Sequence, residues 1–292
     1  MSDIIDIDTL RRAYRRSDAM SHDTVYDAIE AGGKGGLHFQ GQSSKRTSDP
    51  DWSGSKSWPN MKELVQRGWV EGRSSIASGL EDLYASNSAS IADGASIDYD
   101  VAGAYPDVAL AVSGEMEHMI NLGDDVGAKP IMRLLVNLGA TCGVSSSAIM
   151  NRGAAVCALV DEIESSGNSC EIHAVWTCSS GSARAVYSVG VKKAGEVLPI
   201  DEIAFCLGHT SMLRRVFFSM MERHKFAADN GFENGYYGRS VELEKYDWPS
   251  DCIYLAGINS NPEPYRTPQS AMAKVRELYE AQAEAKHLEV DV

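Results

Sequence analysis

The chain has 292 residues, of which 43% are hydrophobic and 23% charged, and its formal net charge is −14. This composition is typical of a globular protein with a sizeable core, and no apolar run approaches the roughly 18 residues of a membrane-spanning helix. Residues 1–80 balance eleven basic with eleven acidic side chains, so the excess negative charge falls on residues 81–292. An acidic body of this kind repels nucleic acid, which leaves only a local patch for such a role.

The cysteines and the N-terminus together predict a cytoplasmic protein. Residues 1–6 lack the basic region and the apolar core of a secretory signal. No C-x-x-C pair occurs, and most of the cysteines stand in apolar runs, which is typical of buried, reduced thiols in a reducing compartment. The six positions are Cys142, Cys157, Cys170, Cys178, Cys206 and Cys252.

Residues 1–50 are predicted to be an N-terminal helical part followed by a flexible linker. The stretch 3–31 has the pattern of one or two short helices, with a basic run at 10–16. Residues 32–50 are poor in large apolar side chains and rich in Gly, Ser, Gln and Lys, which favours a mobile linker or a long loop.

Residues 51–128 form a tryptophan-containing segment for which the sequence leaves two interpretations. Three tryptophans alternate with basic residues, and aromatic rings beside cations are the parts of a groove for single-stranded nucleic acid. Nearby carboxylates almost cancel the positive charge, so we expect the tryptophans to pack this segment onto the main domain instead. The nucleic-acid candidates are Trp52, Lys56, Trp58, Lys62, Arg67, Trp69 and Arg73.

Residues 129–292 are predicted to form an α/β domain built on a strand–helix–strand unit. Residues 131–138 are a short apolar run rich in β-formers, which is typical of a strand buried on both faces. Residues 148–166 carry apolar side chains near the helical period, and residues 170–178 are a second apolar run. This order predicts one βαβ unit with parallel strands.

A hairpin turn at residues 179–182 is predicted to lead into an antiparallel edge strand at 183–191. The remaining predicted elements are a strand at 203–207, a helix to about residue 228, a strand at 251–258 and a helix from 268 to about 287. The expected fold is therefore a doubly wound, mostly parallel sheet with helices on both faces and an irregular or helical N-terminal extension.

An antiparallel strand joined to the second strand by a hairpin resembles the von Willebrand factor A (vWA) fold, over about residues 130–287. The resemblance implies a divalent-metal site with an Asp-x-Ser-x-Ser loop after the first strand and a Thr-Asp-Gly after a later one. The corresponding loops here read Asn137-Leu138-Gly139-Ala140-Thr141 and Leu255-Ala256-Gly257. Both carboxylates are missing, and a hard cation needs anionic oxygens. We therefore expect a degenerate site that holds no metal and no cofactor.

Four segments also resemble uncharacterised proteins encoded by tailed bacteriophages. That resemblance implies a phage gene product working in the cytoplasm of the bacterial host, and it brings no activity with it. The segments are Gly68-Trp69, Val101-Ala102-Gly103-Ala104-Tyr105-Pro106-Asp107-Val108, Asn151-Arg152-Gly153-Ala154-Ala155 and His209-Thr210-Ser211-Met212-Leu213-Arg214-Arg215.

No motif for nucleotide binding, metalloprotease or serine hydrolase chemistry occurs, so the candidate site depends on placement alone. His209 follows a predicted strand and precedes a predicted helix, where an anion is favoured, and two arginines begin one turn later. The alternative is that His209 caps its helix and the arginines pair with the acidic surface. The candidate binding residues of this crevice are Asn137, Thr141, Arg152, His209, Thr210, Arg214, Arg215 and Asn259.

The sequence favours a non-enzymatic binding protein of a bacteriophage, a metal-free vWA-like scaffold that recruits a phage or host protein. One alternative is a single-stranded DNA-binding accessory factor of phage transcription or replication. Another is an enzyme that acts on a phosphorylated small molecule at His209, although no acidic residue is expected beside that histidine as an acid–base partner.

Overall fold

The computed structural model describes residues 5, 7–14, 16–39, 43–46, 49–74, 98–101, 105–106, 116, 118–121, 131–165, 168–196, 200–233, 241–243, 248–249 and 251–290. Most of the tryptophan-containing segment beyond residue 74 therefore lies outside the described residues.

The strands in these ranges are β1 (Arg16–His22), β2 (Asp98–Asp100), β3 (Tyr105–Pro106), β4 (Met119–Asn121), β5 (Ile131–Asn137), β6 (Ser169–Ser180), β7 (Ala183–Lys192) and β8 (Cys252–Leu255). The α-helices are α1 (Ile7–Ala13), α2 (Val25–Gly33), α3 (Ser43–Arg46), α4 (Pro50–Ser53), α5 (Trp58–Arg67), α6 (Ser146–Ser165), α7 (Ile200–Ile203), α8 (Phe218–Arg223), α9 (Lys225–Asp229) and α10 (Pro268–Val290). Two π-helical segments span Ala204–Gly208 and Met212–Phe217, and a 3-10 turn spans Glu263–Tyr265. Within the described ranges, no helix combines the length and the apolar character that crossing a membrane requires.

Five strands form one mixed sheet in the order β1-β7-β6-β5-β8. β6 and β7 are antiparallel, and the other three neighbouring pairs are parallel. The predicted βαβ unit is confirmed, because α6 connects the parallel strands β5 and β6, and the predicted hairpin is confirmed between β6 and β7. The fold is α/β with a mostly parallel sheet, as the sequence predicts. β2, β4 and β3 form a second, antiparallel sheet.

Both faces of the main sheet are buried, which explains why the interior strand β5 is so apolar. On β5, Leu134 and Val136 enter the larger core, whereas Leu135 enters a smaller core on the opposite face. The larger core packs the sheet against α2, α5, α6, α8 and the π-helical segments. Leu10 of α1 and Leu243 cover the smaller core. Helices thus lie on both faces of the sheet.

The stretch 3–31 contains the two predicted short helices, α1 and α2, and between them a strand that the sequence did not predict. β1 pairs with β7 in parallel register, from Arg16 opposite Ala183 to His22 opposite Val189. Its residues form no apolar run, because it is an edge strand on which Ser17 alone is fully buried. The sheet therefore begins within the first 50 residues, and the prediction that the strand at 183–191 is an edge strand is wrong, because β1 pairs along the other side of β7.

The predicted strand at 203–207 is wrong, because these residues are helical and run from α7 into the first π-helical segment. All five side chains are buried, and a short apolar run does not distinguish a buried helix from a buried strand. This segment packs on α6 so closely that a Cβ added to Gly153 would lie 2.5 Å from the Cα of Gly208.

A side chain of α10 covers the outer edge of β8. The backbone N–H of Tyr254 donates to Gln282 Oε1 at 2.9 Å, and Gln282 Nε2 donates to the Tyr254 carbonyl at 2.8 Å. One side-chain amide therefore makes the two hydrogen bonds that a neighbouring strand would make.

All six cysteines are free thiols, and five of them are buried. Burial raises the pKa of Cys157 and of Cys170 to about 12, so both remain protonated at neutral pH. The prediction of buried, reduced thiols is confirmed for these five positions. It is wrong for Cys142, which is exposed in the loop after β5.

Candidate binding site at the strand ends

The loops that follow β5 and β8 meet at the carboxyl end of the sheet. The N–H of Thr141 donates to the Asn259 carbonyl at 2.9 Å, and the N–H of Asn259 donates to the Gly139 carbonyl at 2.9 Å. A Cβ on Gly257 would lie 2.8 Å from the Gly139 carbonyl oxygen, so only glycine fits there. β6 lies on one side of β5 and β8 on the other. Strand order reverses at this point, which is where open α/β sheets bind ligands.

Two asparagines shape these loops. Asn137 is buried at the end of β5, and its Oδ1 accepts the N–H of Gly139 at 2.9 Å, which turns the chain out of the strand. Its Nδ2 donates to the Tyr254 hydroxyl at 2.6 Å. Asn259 adopts a φ of +49°, a left-handed conformation that asparagine tolerates better than most residues with a Cβ.

A carboxylate that the sequence did not single out fills the space between the two loops. Glu242 Oε2 accepts the Tyr254 hydroxyl at 2.5 Å and Asn137 Nδ2 at 3.3 Å. The same oxygen accepts the N–H of Gly257 at 3.4 Å, and Oε1 accepts Asn259 Nδ2. We call these four donors the carboxylate cradle. They come from β5, β8 and the loop after β8, so Glu242 ties three segments together.

The Tyr254 hydroxyl donates to Glu242 and is buried beside it. Burial, and after it the charge of Glu242, raises the pKa of Tyr254 far above its ordinary value, so the hydroxyl keeps its proton. The Trp248 ring stacks on Tyr254 with centroids 4.6 Å apart, and the N–H of Leu243 donates to the hydroxyl at 3.3 Å.

Arg152 lies beneath the loop after β8 and is only 3% exposed. Its Nη2 donates to the carbonyls of Leu255 and Ala256 at 3.1 and 2.7 Å. Its Nε is buried and has no hydrogen-bond partner within the described ranges. The guanidinium therefore supports the end of β8.

His209 lies in a different environment, packed inside the protein. Its ring stacks on Phe205 at 5.0 Å and meets Trp69 edge-on at 4.6 Å. Its Nδ1 accepts the N–H of Ser211 at 3.1 Å, which is the predicted alternative in which His209 caps its helix. Burial lowers the pKa of His209 to about 4, so the ring is neutral at pH 7.

Arg215 is fully buried and anchors the chain between α3 and α5. Its Nε donates to Ser55 Oγ at 2.6 Å, and its Nη groups donate to the Ser44 carbonyl at 2.8 Å and to Ser53 Oγ at 3.1 Å. Ser44 also donates from its N–H to the buried carboxylate of Glu222 at 2.9 Å. This arginine stabilises the fold from within and does not pair with an acidic surface through these contacts.

Arg214 is nearly as buried, and it connects two parts of the predicted crevice. Its guanidinium lies over the Trp52 ring at 4.9 Å, and Nη1 donates to the Trp52 carbonyl. Its Nη2 approaches the carbonyls of Thr141 and Val144 at 3.4 Å each. Burial lowers the pKa of Arg214, although the backbone carbonyls solvate its charge.

The predicted crevice is therefore divided into two groups of residues. The first group lies at the strand ends and consists of Asn137, Arg152 and Asn259. The backbone of Thr141 also belongs to it, because its N–H donates to the Asn259 carbonyl. A second group packs beneath the chain between α3 and α5 as part of the core: His209, Thr210 and Arg215, with Arg214 between the two groups.

The tryptophans proposed for nucleic-acid stacking have their faces against protein. Trp58 lies in the larger core, and Trp52 and Trp69 are half-buried and pack against it. Arg214 covers a face of Trp52, and His209 contacts Trp69. These rings do not form an open row on which bases stack.

The cations proposed beside those rings are partly neutralised. Arg67 and Arg73 each form an ion pair with a carboxylate at 2.7 Å. Lys56 and Lys62 are exposed. Two exposed lysines on an acidic protein attract a phosphate backbone only weakly.

Sequence reasoning missed Glu242 and Tyr254, the centre of the cradle. Glu242 stands in a stretch predicted only as a loop, where nothing distinguishes it from other surface carboxylates. Tyr254 is one of several large residues in a short buried strand. Among the described residues, no group of three or more His, Cys, Asp or Glu side chains has an arrangement suited to a metal ion.

Comparison with known proteins gives a family but no activity. A sequence profile described as "Domain of unknown function (DUF7192)" matches residues 8–283. The chain belongs to this family. The match runs from α1 into α10, so the DUF7192 domain includes β1 and the N-terminal helices as well as the rest of the main sheet. No curated protein and no solved structure matches the chain.

Proposed function

We propose that this protein is a non-enzymatic binding protein whose strand-end loops recruit a macromolecular partner. The observation that carries the proposal is the carboxylate cradle. At the end of the sheet where α/β proteins bind ligands, Glu242 accepts four hydrogen bonds from this chain's own groups. A polar network of this kind fixes the shape of the loops, and it leaves no free acid–base pair among these groups.

The loops held by the cradle carry exposed polar side chains. We call residues 141–147 and 259–263 the rim. Most of its side chains are small, and many of them are exposed: Cys142, Ser145, Ser146, Ser147, Ser260 and Asn261. Loops that carry function usually sit on a rigid scaffold, and the rim sits directly on the ends of β5 and β8.

Charge and packing favour a protein partner over the two alternatives. The net charge of −14 and the covered tryptophan rings disfavour single-stranded DNA. The neutral, buried His209 disfavours an enzyme that holds a phosphorylated substrate at that position. A protein surface complementary to small polar side chains requires neither feature.

The proposed setting is the cytoplasm of a bacterium infected by a tailed phage, with a phage or host protein as the partner. The buried free thiols suit a reducing compartment. The scaffold is proposed to be vWA-like because a hairpin joins the antiparallel strands β6 and β7 beside the parallel pair β5 and β6, and the first strand of the βαβ unit lies inside the sheet.

Affinity capture from phage-infected cells tests the function. The variants Ser147→Arg and Ser260→Arg place a large cation on the rim without removing a buried group. We expect the wild-type chain to recover a partner protein that both variants recover at least tenfold less, because a misplaced charge at the centre of an interface costs several kcal/mol.

Ser182→Arg is the matched control. Ser182 is exposed in the β6–β7 turn. β6 continues five residues beyond Val175, which pairs with Asn137, and ends at Ser180, so the turn lies roughly 17 Å further along the sheet. It should recover the partner as the wild type does. Recovery of the same proteins by all four chains would refute the rim as a docking surface.

A further inference from the structure

The cradle has the geometry of an anion receptor whose ligand is a side chain of the same protein. Its donors approach both oxygens of the Glu242 carboxylate: Asn259 Nδ2 approaches Oε1, and the other three approach Oε2. Asn137 is completely buried, whereas Glu242 is half-exposed. The binding groups therefore belong to the rigid sheet end, and the bound group enters from the solvent side.

We propose that the cradle is a carboxylate-binding site for an acidic group of the partner protein, and that Glu242 occupies it in the unbound state. The proposal rests on the proposed function and names the chemistry that the rim recognises. A carboxylate of the partner, from a side chain or from a chain terminus, replaces the Glu242 carboxylate on the same four donors.

The placement of the site supports a ligand role beyond a structural one. The cradle lies between β5 and β8, where strand order reverses and where ligands of open α/β sheets bind. The bound carboxylate therefore occupies the position that a ligand takes in sheets of this kind.

The exchange requires only a side-chain rotation. The backbone on both sides of Glu242 is held, because the N–H of Val241 donates to the Thr177 carbonyl at 3.0 Å and Leu243 is buried in the smaller core. Glu242 swings into solvent between these two anchors, and the cradle stays in place. Because every ligand must displace Glu242, this intramolecular competitor lowers the apparent affinity of all ligands for the cradle. Only a ligand with additional contacts to the rim then binds tightly.

The donor set selects a carboxylate over a phosphate. The cradle uses three neutral side-chain donors and one backbone N–H, and it presents them to two oxygens of a planar group. A phosphate carries more charge and further oxygens, for which the described residues offer no direct cationic partner in the cradle. Acetate is therefore the appropriate small probe, and inorganic phosphate is the comparison.

The first test empties the cradle with Glu242→Ala in the full chain and adds sodium acetate, with sodium chloride at equal ionic strength as the reference. Melting is followed by near-ultraviolet circular dichroism, to which the stacked Trp248 and Tyr254 contribute. We expect acetate to raise the Tm of Glu242→Ala by about 2–4 °C per tenfold increase above its Kd, and phosphate to raise it less.

Glu242→Gln is the matched control, since its amide still fills the cradle; neither it nor the wild type should respond to acetate. The double variant Asn137→Ala/Glu242→Ala lacks a donor and should respond at least tenfold more weakly. If Glu242→Ala does not fold in chloride, recovery of the folded spectrum in acetate is the readout. No acetate effect, or a larger phosphate effect, would overturn the proposal.

The second test asks whether the carboxylate belongs to the partner protein. In affinity capture, Glu242→Ala should recover several-fold more partner than the wild type, because the internal competitor is gone, and acetate should reduce the difference. Unchanged recovery beside a positive acetate result would assign the site to free carboxylates and overturn the partner assignment. Loss of the partner in the rim variants with no acetate effect would leave the proposed function intact and remove only this inference.

Discussion

Single residues at the strand ends are held by complementary hydrogen bonds and not by apolar contact. Asn137 is buried and Glu242 is partly exposed, and the amide of Asn137 donates to the Glu242 carboxylate and to the Tyr254 hydroxyl. His209 is buried differently, as a neutral ring between Phe205 and Trp69. Protonation of the His209 ring in the folded protein therefore costs free energy, and stability measurements on a His209 variant can isolate that cost.

We predict that the protein loses stability in mild acid because of His209. The folded-state pKa of about 4 lies below the ordinary 6.5, so the unfolded chain binds this proton more readily. The stabilisation is fully present above pH 6.5 and is lost as the pH falls towards 4, by on the order of 3 kcal/mol in total. Urea unfolding between pH 7 and pH 4 measures this slope.

His209→Asn is the comparison, because an asparagine side chain can still accept the N–H of Ser211. This variant should be less stable at pH 7, since it loses ring packing, yet its stability should change less with pH. Parallel pH curves for the two proteins would contradict the assignment to His209.

At the scale of elements, the closest contact between α6 and its neighbour decides how the larger core is packed. Gly153 faces Gly208 across the crossing, and no side-chain atom fits between the two backbones. The first π-helical segment is held against α6 by this approach and by apolar side chains on all sides. Glycine in mid-helix lowers helix propensity, so its presence here indicates a packing requirement.

Gly153→Ala should destabilise the protein by about 1–3 kcal/mol, because its Cβ would push α6 away from the π-helical segment. Helix propensity alone predicts the opposite, a gain in stability of up to about 1 kcal/mol for alanine over glycine. Gly33→Ala in α2 has open space around its Cβ and serves as the control, with unchanged or slightly raised stability. The denaturant midpoints of the two variants should move in opposite directions, and equal shifts would contradict the packing argument.

The elements that could be predicted from the sequence are those whose pattern is local. A few neighbouring residues are enough to predict each of them: the apolar run of β5, the helical period of α6 and the turn at Gly181. β1 has no such pattern, because its stability comes from pairing with β7, which lies more than 160 positions away in the chain. The cradle was missed for the same reason: Glu242 becomes distinctive only when distant donors surround it.

At the scale of the whole molecule, the N-terminal residues complete the sheet. β1 adds the fifth strand, and Ile5 and Leu10 cover the smaller core above Leu135 and Val186. The second face of the sheet therefore depends on residues that come more than 100 positions earlier in the chain. We infer that the N-terminal part and the rest of the sheet unfold together.

Leu10→Ala should lower the global stability by about 2–4 kcal/mol, because Leu10 is fully buried in the smaller core. Far-ultraviolet circular dichroism and tryptophan fluorescence should report the same lowered urea midpoint. Val70→Ala is the control, since Val70 is 65% exposed and its truncation should have little effect. If limited proteolysis cuts the N-terminal part of Leu10→Ala more readily while the urea midpoint of this variant is unchanged, the two parts unfold separately.

The amide of Gln282 on the outer edge of β8 has a consequence for assembly. Among the described strands, β1 and β8 are the edges of the main sheet, and Gln282 already satisfies the outward N–H and C=O of Tyr254 on β8. A second copy of the chain therefore finds no free backbone groups at Tyr254, so Gln282 opposes edge-to-edge pairing and fibre growth at this position of β8.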